Sequence, residues 1–186
     1  MAESRLSVSE RELFLAEPHI AALSVSAGPD RGPLTVPMWY QYTPGGEAWI
    51  LTEAASRKAR LIADAGRFTL MVERLAPTIR YVSIEGPVTR TIPVTDELER
   101  EITERYLPPE KVADYLAFAK AEFGEQIVIY LRPQRWLSQD LGPSLDEVLG
   151  YWSYWHDGGP LSGPWLPDDT ATIAALTSIG ADAGLS

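Results

Sequence analysis

Leu51-Thr52-Glu53-Ala54-Ala55-Ser56-Arg57-Lys58-Ala59 decides how the rest of the chain is read. An apolar strand pattern runs out at Thr52, and a helix begins near Ser56 with two cations in its first turn. Cations are unfavourable there, because the aligned peptide dipoles already place partial positive charge at a helix N-terminus. The conflict is relieved when an anion occupies that end, held by free amides, a hydroxyl and the two side chains. Arg57 suits phosphate oxygens as a two-pronged donor, and Lys58 acts as a point charge. A solvated Arg-Lys pair on a surface helix is the competing reading.

Outward from this stretch the pattern is mostly strand. Residues 20–26 and 34–42 are expected strands around a turn at 28–33, and Thr43-Pro44-Gly45-Gly46-Glu47 turns into a third strand at 48–52. Pro37 cannot donate to a ladder, which places the second strand at an edge or a bulge. The helix at 54–65 turns Leu61 and Ile62 inward and stops at Gly66. Strands at 68–73 and 79–90 follow; in the latter Tyr81, Ser83 and Glu85 alternate with Val82 and Ile84, as in a half-buried strand. Helices at 96–106 and 110–123 precede a sixth strand at 126–131, which residues 135–138 extend after Pro133. Near the N-terminus, Ser7-Val8-Ser9-Glu10 is a capping box opening a short helix with Leu13 and Phe14 inward, ended by Pro18. The expected class is mainly β (α+β), a six-stranded antiparallel barrel with peripheral helices. No strand–helix alternation with Gly-rich crossovers supports a dinucleotide fold.

From Gly142 the character changes. Ser144-Leu145-Asp146-Glu147 is a second capping box, and Trp152, Trp155 and Trp165 make this segment Trp-rich. The division expected is a barrel domain over 1–142 and a helical extension over 143–186, packed on the barrel or on a second subunit. So aromatic a segment needs a surface to cover, and about 40 residues rarely sustain a core of their own.

The chain of 186 residues has no cysteine, which excludes disulfides, thiolate metal sites and cysteine nucleophiles. With only His19 and His156, a multi-histidine zinc site is not expected either. The formal net charge of −10 argues against nucleic acid as a partner. It is unevenly spread. Residues 56–90 hold seven basic side chains (Arg57, Lys58, Arg60, Arg67, Arg74, Arg80, Arg90) against three acidic ones, a local +4 that leaves −14 for the remainder. One basic segment on an acidic protein points to a small anionic ligand. The absence of an apolar run of roughly 20 residues gives no membrane partner. Met1-Ala2-Glu3-Ser4-Arg5 lacks a secretory pattern, and the expected location is cytoplasmic.

Four segments in order carry a family resemblance. Thr52 with Ser56-Arg57-Lys58-Ala59 resembles the phosphate-binding segment of the pyridoxamine 5′-phosphate oxidase-like flavin and deazaflavin oxidoreductases. Val36-Pro37-Met38-Trp39-Tyr40 resembles that family's second strand. Arg80-Tyr81-Val82-Ser83-Ile84-Glu85-Gly86-Pro87-Val88 is similar to its later strand ending at glycine, and Arg132-Pro133-Gln134-Arg135-Trp136 to its closing strand. The resemblance covers residues 8–142 and implies a split β-barrel, a homodimer and an oxidoreductase that exchanges hydride between its cofactor and a small, flat organic substrate. The implied cofactor is FMN, with the deazaflavin F420 as the alternative. Ser56, Arg57 and Lys58 would hold the phosphate, Thr52 the chain next to it, and Met38, Trp39 and Leu51 the ring edge. Tyr81 stands where the oxidases carry a glutamine at the ring, and Trp136 would reach the ring from the other subunit. The Arg-Leu-x-x-Arg pattern with which true oxidases grip pyridoxal phosphate is missing, and pyridoxamine phosphate oxidation is not expected.

Other candidates have plainer readings. His156-Asp157 sits in a Gly-Pro turn, Asp168-Asp169 reads as a helix cap, and His19 as structural. Glu97, Glu99, Glu101 and Glu104 form a solvated helix face. Scarce histidine and absent cysteine fit a protein whose reactive group is a cofactor. The alternative is a non-catalytic flavin, haem or small-molecule binding protein on the same barrel.

Overall fold

The structure is a computed structural model that describes residues 5–143. The chain order is α1 (Val8–Ala16), β1 (Ala21–Val25), β2 (Leu34–Met38), β3 (Tyr40–Tyr42), β4 (Ala48–Glu53), α2 (Arg57–Ala65), β5 (Arg67–Arg74), β6 (Thr78–Pro93), α3 (Asp96–Tyr106), α4 (Pro109–Glu122), β7 (Gln126–Leu131) and β8 (Arg135–Pro143). The class is the expected one, mainly β with peripheral helices. The expected extension over 143–186, with its tryptophans, His156 and Asp168-Asp169, lies outside the described residues apart from Pro143.

All strand pairs are antiparallel, in the order β2-β1-β5-β6-β7-β4-β3 with β8 joined to β6. The described residues hold eight strands where six were expected. One difference arises at Trp39, which interrupts the second strand: β2 pairs with β1 and β3 with β4. The two halves therefore occupy opposite ends of the strand order although a single residue separates them, and the sheet curls until its ends meet at Trp39. Pro37 lies on β2, an edge strand, where its missing N–H costs no ladder bond. The other difference is that residues 135–143 are a strand in their own right, laid along the first half of β6.

The length of β6 lets it serve both sides of the curl. Its first half pairs with β5 and β8, and its second half, past a bulge between Val88 and Arg90, pairs with β7. The turning point is Gly86, where a Cβ would collide with the carbonyl of Arg132, so only glycine lets these backbones approach.

Alternation along the strands fills two cores. The barrel interior buries Phe14, Leu15, Leu23, Tyr40, Ile50, Ile62, Leu70, Val82, Ile84 and Leu131 among others. Phe14 turns inward as expected, but Leu13 is exposed, and Leu15 takes the second inward place on α1. A second cluster under α3 joins Trp49, Ile102, Val128 and Tyr130, with Trp39, Leu51 and Tyr106 packed against it. The capping box of α1 forms as expected, Ser7 and Glu10 each bonding the other's amide, and Gly66 ends α2 in the left-handed conformation at φ 64°. Helix α2 starts at Arg57 with Ser56 as its cap, three residues later than the expected start at 54. None of the described helices is long and apolar enough to cross a membrane.

Candidate functional site

A cleft of about 290 Å³ opens where the two cores meet. Its lining comes from the β2–β3 junction (Pro37, Met38, Trp39), the end of β4 (Leu51, Thr52, Glu53), the start of α2 (Ser56, Lys58), α3 (Ile102, Thr103), and Tyr115, Phe123 and Gln126. Six residues expected at a cofactor site thus meet in one cleft: Met38, Trp39, Leu51, Thr52, Ser56 and Lys58. Arg57 is their exposed neighbour at the first position of α2. Tyr81 and Trp136 do not line it. The Tyr81 hydroxyl donates to Gln139 Oε1 at 3.1 Å across the β6–β8 pair, while Trp136 packs against the barrel core with the Arg11 guanidinium 4.6 Å from its ring centroid.

The polar end of the cleft is built by the turn from β4 into α2. Ala54 N–H donates to Glu125 O at 2.9 Å and Ser56 N–H to Glu53 O at 3.1 Å, which fixes the approach to the helix. The Ser56 hydroxyl lies 3.2 Å from that of buried Thr52 and accepts the Ala59 N–H at 3.2 Å. The amides of Arg57 and Lys58 have no acceptor among the described residues, and neither side chain makes a hydrogen bond or an ion pair. The first turn carries no acidic residue. Because one of the two hydroxyls donates to the other, two free amides, one hydroxyl proton and two unpaired cations remain as donors at this end, a set of the kind that suits a phosphate. Exposed Glu53 is the one carboxylate at this end.

The same is not true of the rest of the basic segment. Arg67 pairs with Glu85 at 3.2 Å, Arg74 with Glu17 at 3.5 Å, Arg80 with Asp140 at 2.6 Å and Arg90 with Glu47 at 2.7 Å. Folding cancels four of the seven charges and leaves Arg57, Lys58 and Arg60 on α2, where Arg60 donates to Ala55 O. The excess read from the sequence therefore shrinks to one helix end beside the cleft.

The other end is aromatic. Trp39 stacks on Tyr106, with centroids 4.8 Å apart and planes 9° from parallel, and its ring centroid lies 5.4 Å from that of Tyr115. The Tyr106 hydroxyl accepts the Tyr40 N–H at 3.0 Å and lies 2.9 Å from both the His19 and Tyr40 carbonyls. It thus holds the backbone immediately after Trp39, on the edge of β3 away from β4, and through it the ring that forms the cleft wall. Burial, and secondarily the charge of Glu99, push the Tyr115 phenol up, so its hydroxyl stays protonated and able to donate.

Pro37 and Glu53 line the cleft from stretches already read, without having been expected at the site, and Ile102, Thr103, Tyr115, Phe123 and Gln126 were not foreseen. These five lie 50 or more residues from Thr52; Gln126 opens β7, and the other four belong to α3, α4 and the end of α4, whose only sequence signal is an apolar helix face. Nothing in the chain states which strand that face covers. Among the described residues no group of acidic and histidine side chains is placed to hold a metal ion.

No protein-family model matches the chain, and no curated protein matches it. Solved structures do. A conserved hypothetical protein of Mycobacterium tuberculosis is 23% identical, with a TM-score of 0.57 over 75% of this chain and 88% of that one. An F420 reductase is 22% identical, with a TM-score of 0.53 over 68% of this chain and 94% of that one. At this identity the likeness shows the fold alone: the chain has the split β-barrel fold of these structures, the fold expected from its sequence.

Proposed function

We propose that the chain is a cytoplasmic flavin- or deazaflavin-dependent oxidoreductase acting on a small, flat organic substrate. The observation that carries this reading is the pairing, in one cleft, of an unneutralised phosphate donor set with an aromatic wall. A phosphate-bearing ring compound is the ligand class that satisfies both ends. FMN is the cofactor this set fits first: a single phosphate is satisfied by the two amides, Ser56, Arg57 and Lys58. F420 is the alternative, with Arg60 the next unpaired cation beyond the phosphate. The cofactor supplies hydride exchange at its ring. The protein binds the phosphate, orients the chain through Thr52, and presents Met38, Trp39 and Leu51 to the ring edge. Trp39 is held for this by Tyr106, and the apolar lining from Ile102 and Phe123 excludes water.

At about 290 Å³ the cleft sits at the lower edge of ligand pockets, which start at roughly 300 Å³. Part of a flavin would project beyond it, and the homodimer belongs to the same proposal: Trp136, away from the cleft in its own protomer, reaches the ring from the other subunit.

The test is a fluorescence titration with FMN and with riboflavin, which lacks the phosphate. Replacing Arg57 and Lys58 together by alanine removes two charge-assisted contacts and should weaken FMN about 100-fold or more, while riboflavin binding stays as it was. Equal FMN affinity in the double variant would sink the phosphate assignment. The visible spectrum of the purified protein then separates the cofactors: flavin bands support FMN, whereas a colourless protein that quenches added F420 fluorescence supports the deazaflavin. Tight binding without turnover of any acceptor would leave a binding protein in place of an enzyme.

A further inference from the structure

Helices α3 and α4 both contribute to the cleft, but they are attached to the protein by different means. Helix α3 is fastened by polar contacts. Arg105 donates to Ala16 O at 2.8 Å, Glu17 O at 2.6 Å and Gln41 Oε1 at 2.9 Å, Tyr106 grips the backbone of Tyr40, and Glu101 accepts from Gln41 at 2.9 Å. Helix α4 has none of this. No side chain from Pro109 to Phe123 makes a hydrogen bond or ion pair to another element among the described residues. Burial pushes the Glu99 carboxyl up and Asp96 adds to this; Lys120 of α4 opposes them through its field alone, without pairing. Only Val112 and Ala119 of α4 are fully buried, and Phe118 is 53% exposed.

Its ends are equally suggestive. Pro108 and Pro109 have no N–H, so α3 passes no backbone hydrogen bond to α4; the last bond before the junction is Leu107 N–H to Thr103 O at 2.9 Å, and the first after it is Lys111 N–H to Pro108 O at 2.9 Å. At the other end Gly124 separates Phe123 from Glu125, whose carbonyl is already tied to Ala54. A segment with few buried contacts, no polar anchor and breaks at both ends belongs to the least stable part of a fold, from which moving covers are drawn. This one places Tyr115 and Phe123 in the cleft lining.

We propose that α4 is a movable wall of the cleft, turning about Pro108–Pro109 and Gly124, which closes Tyr115 and Phe123 over a flat apolar ligand. It rests on reading the aromatic end as a ring site. The phenol of Tyr115 then faces the bound ring as a hydrogen-bond donor, and Phe123 seals the mouth. Size and flatness of the ligand are selected by how far the helix closes.

Amide hydrogen exchange on the full chain tests this, with FMN as the probe and FMN binding followed separately by fluorescence. In the free protein, amides of α4 should exchange at least tenfold faster than those of α3, and saturating FMN should slow α4 at least fivefold with little change in α3. The variant Val112→Ala loosens the seat of α4 outside the cleft and should raise its exchange about fivefold to tenfold, leaving α3 unaffected. Equal protection of the two helices in the free protein overturns the proposal. So does bound FMN without added protection in α4, or a Val112→Ala effect spread evenly over both helices. If FMN does not bind at all, the cofactor reading fails, and the moving wall stands or falls on the free protein and the variant.

Discussion

Arg105 meets the C-terminal end of α1, whereas Arg57 and Lys58 open α2, and the two helix ends treat their cations in opposite ways. Arg105 donates to the carbonyls that end α1, those of Leu15, Ala16 and the cap residue Glu17, and to Gln41 Oε1. The helix dipole and the hydrogen bonds there act in the same direction. At α2 they act against each other: two cations stand over free amides with no carboxylate in the turn. A cation used to hold the fold has its charge met by the chain. One that the chain leaves unmet, against the local field, is available to something else.

The largest effect separating the two ends should come from Arg105→Ala. Four acceptors lose a charged donor at once, and the join between α1, β3 and α3 loosens. We expect about 3 kcal/mol of lost stability, read as a lower urea midpoint at unchanged slope. Arg105→Lys should recover only part, because one ammonium cannot span the acceptors that the two guanidinium ends reach. A loss below about 0.5 kcal/mol in either variant would erase the contrast with α2.

This contrast was half visible in the sequence. The conflict at α2 is local: Ser56, Arg57 and Lys58 follow a strand end directly, and helix polarity supplies the rest. The capping box of Ser7 and Glu10 was legible for the same reason, since its partners are three residues apart. Arg105 was not legible, because its acceptors lie 64 to 90 positions away and are mostly main-chain carbonyls that carry no residue signature. The break at Trp39 was hidden for a related reason. An unbroken strand and two half-strands on opposite sheet ends show the same period-two pattern, and only closure of the sheet distinguishes them. Strand count was therefore misread where strand positions were mostly right. Of the site, the residues near Thr52 were readable and those of α3 and α4 were not.

A second substitution sharpens the comparison with the opposite sign. Arg57→Glu places an anion where the dipole favours one, and the free protein should become more stable by about 0.5 kcal/mol. Its phosphate binding should fall below that of Arg57→Ala, since the new carboxylate repels the ligand. Thermal melts with and without FMN would show a raised Tm for the free variant and no further rise on adding ligand. A Tm lowered in the free variant would mean that Arg57 serves the fold after all, as Arg105 does. Removing strain at the cost of function is the expected pattern where a local rule is broken for a ligand.

The smallest effect concerns how many cations the Arg105 region tolerates. His19 Nε2 lies 3.1 Å from Glu17 Oε2, with its ring packed on Phe14 at 4.5 Å, and its carbonyl is a partner of Tyr106. Burial lowers the imidazole from its usual range; Glu17 opposes this, while Arg74 and Arg105 add to it. The folded protein thus binds a proton here less readily than the unfolded chain, whose histidine titrates near roughly 6.5. Stability from this site is complete above that pH, declines as pH falls below it, and is fully lost once pH has passed the lowered folded value. Urea midpoints should therefore drop between pH 7.5 and 5.5 by an amount that His19→Gln removes, with the variant close to the parent at pH 7.5. A midpoint that rises on acidification would show Glu17 outweighing burial and the two arginines, and the region would then have room for a further positive charge. The α2 end holds no histidine, and the opposite of its two cations is supplied by the ligand.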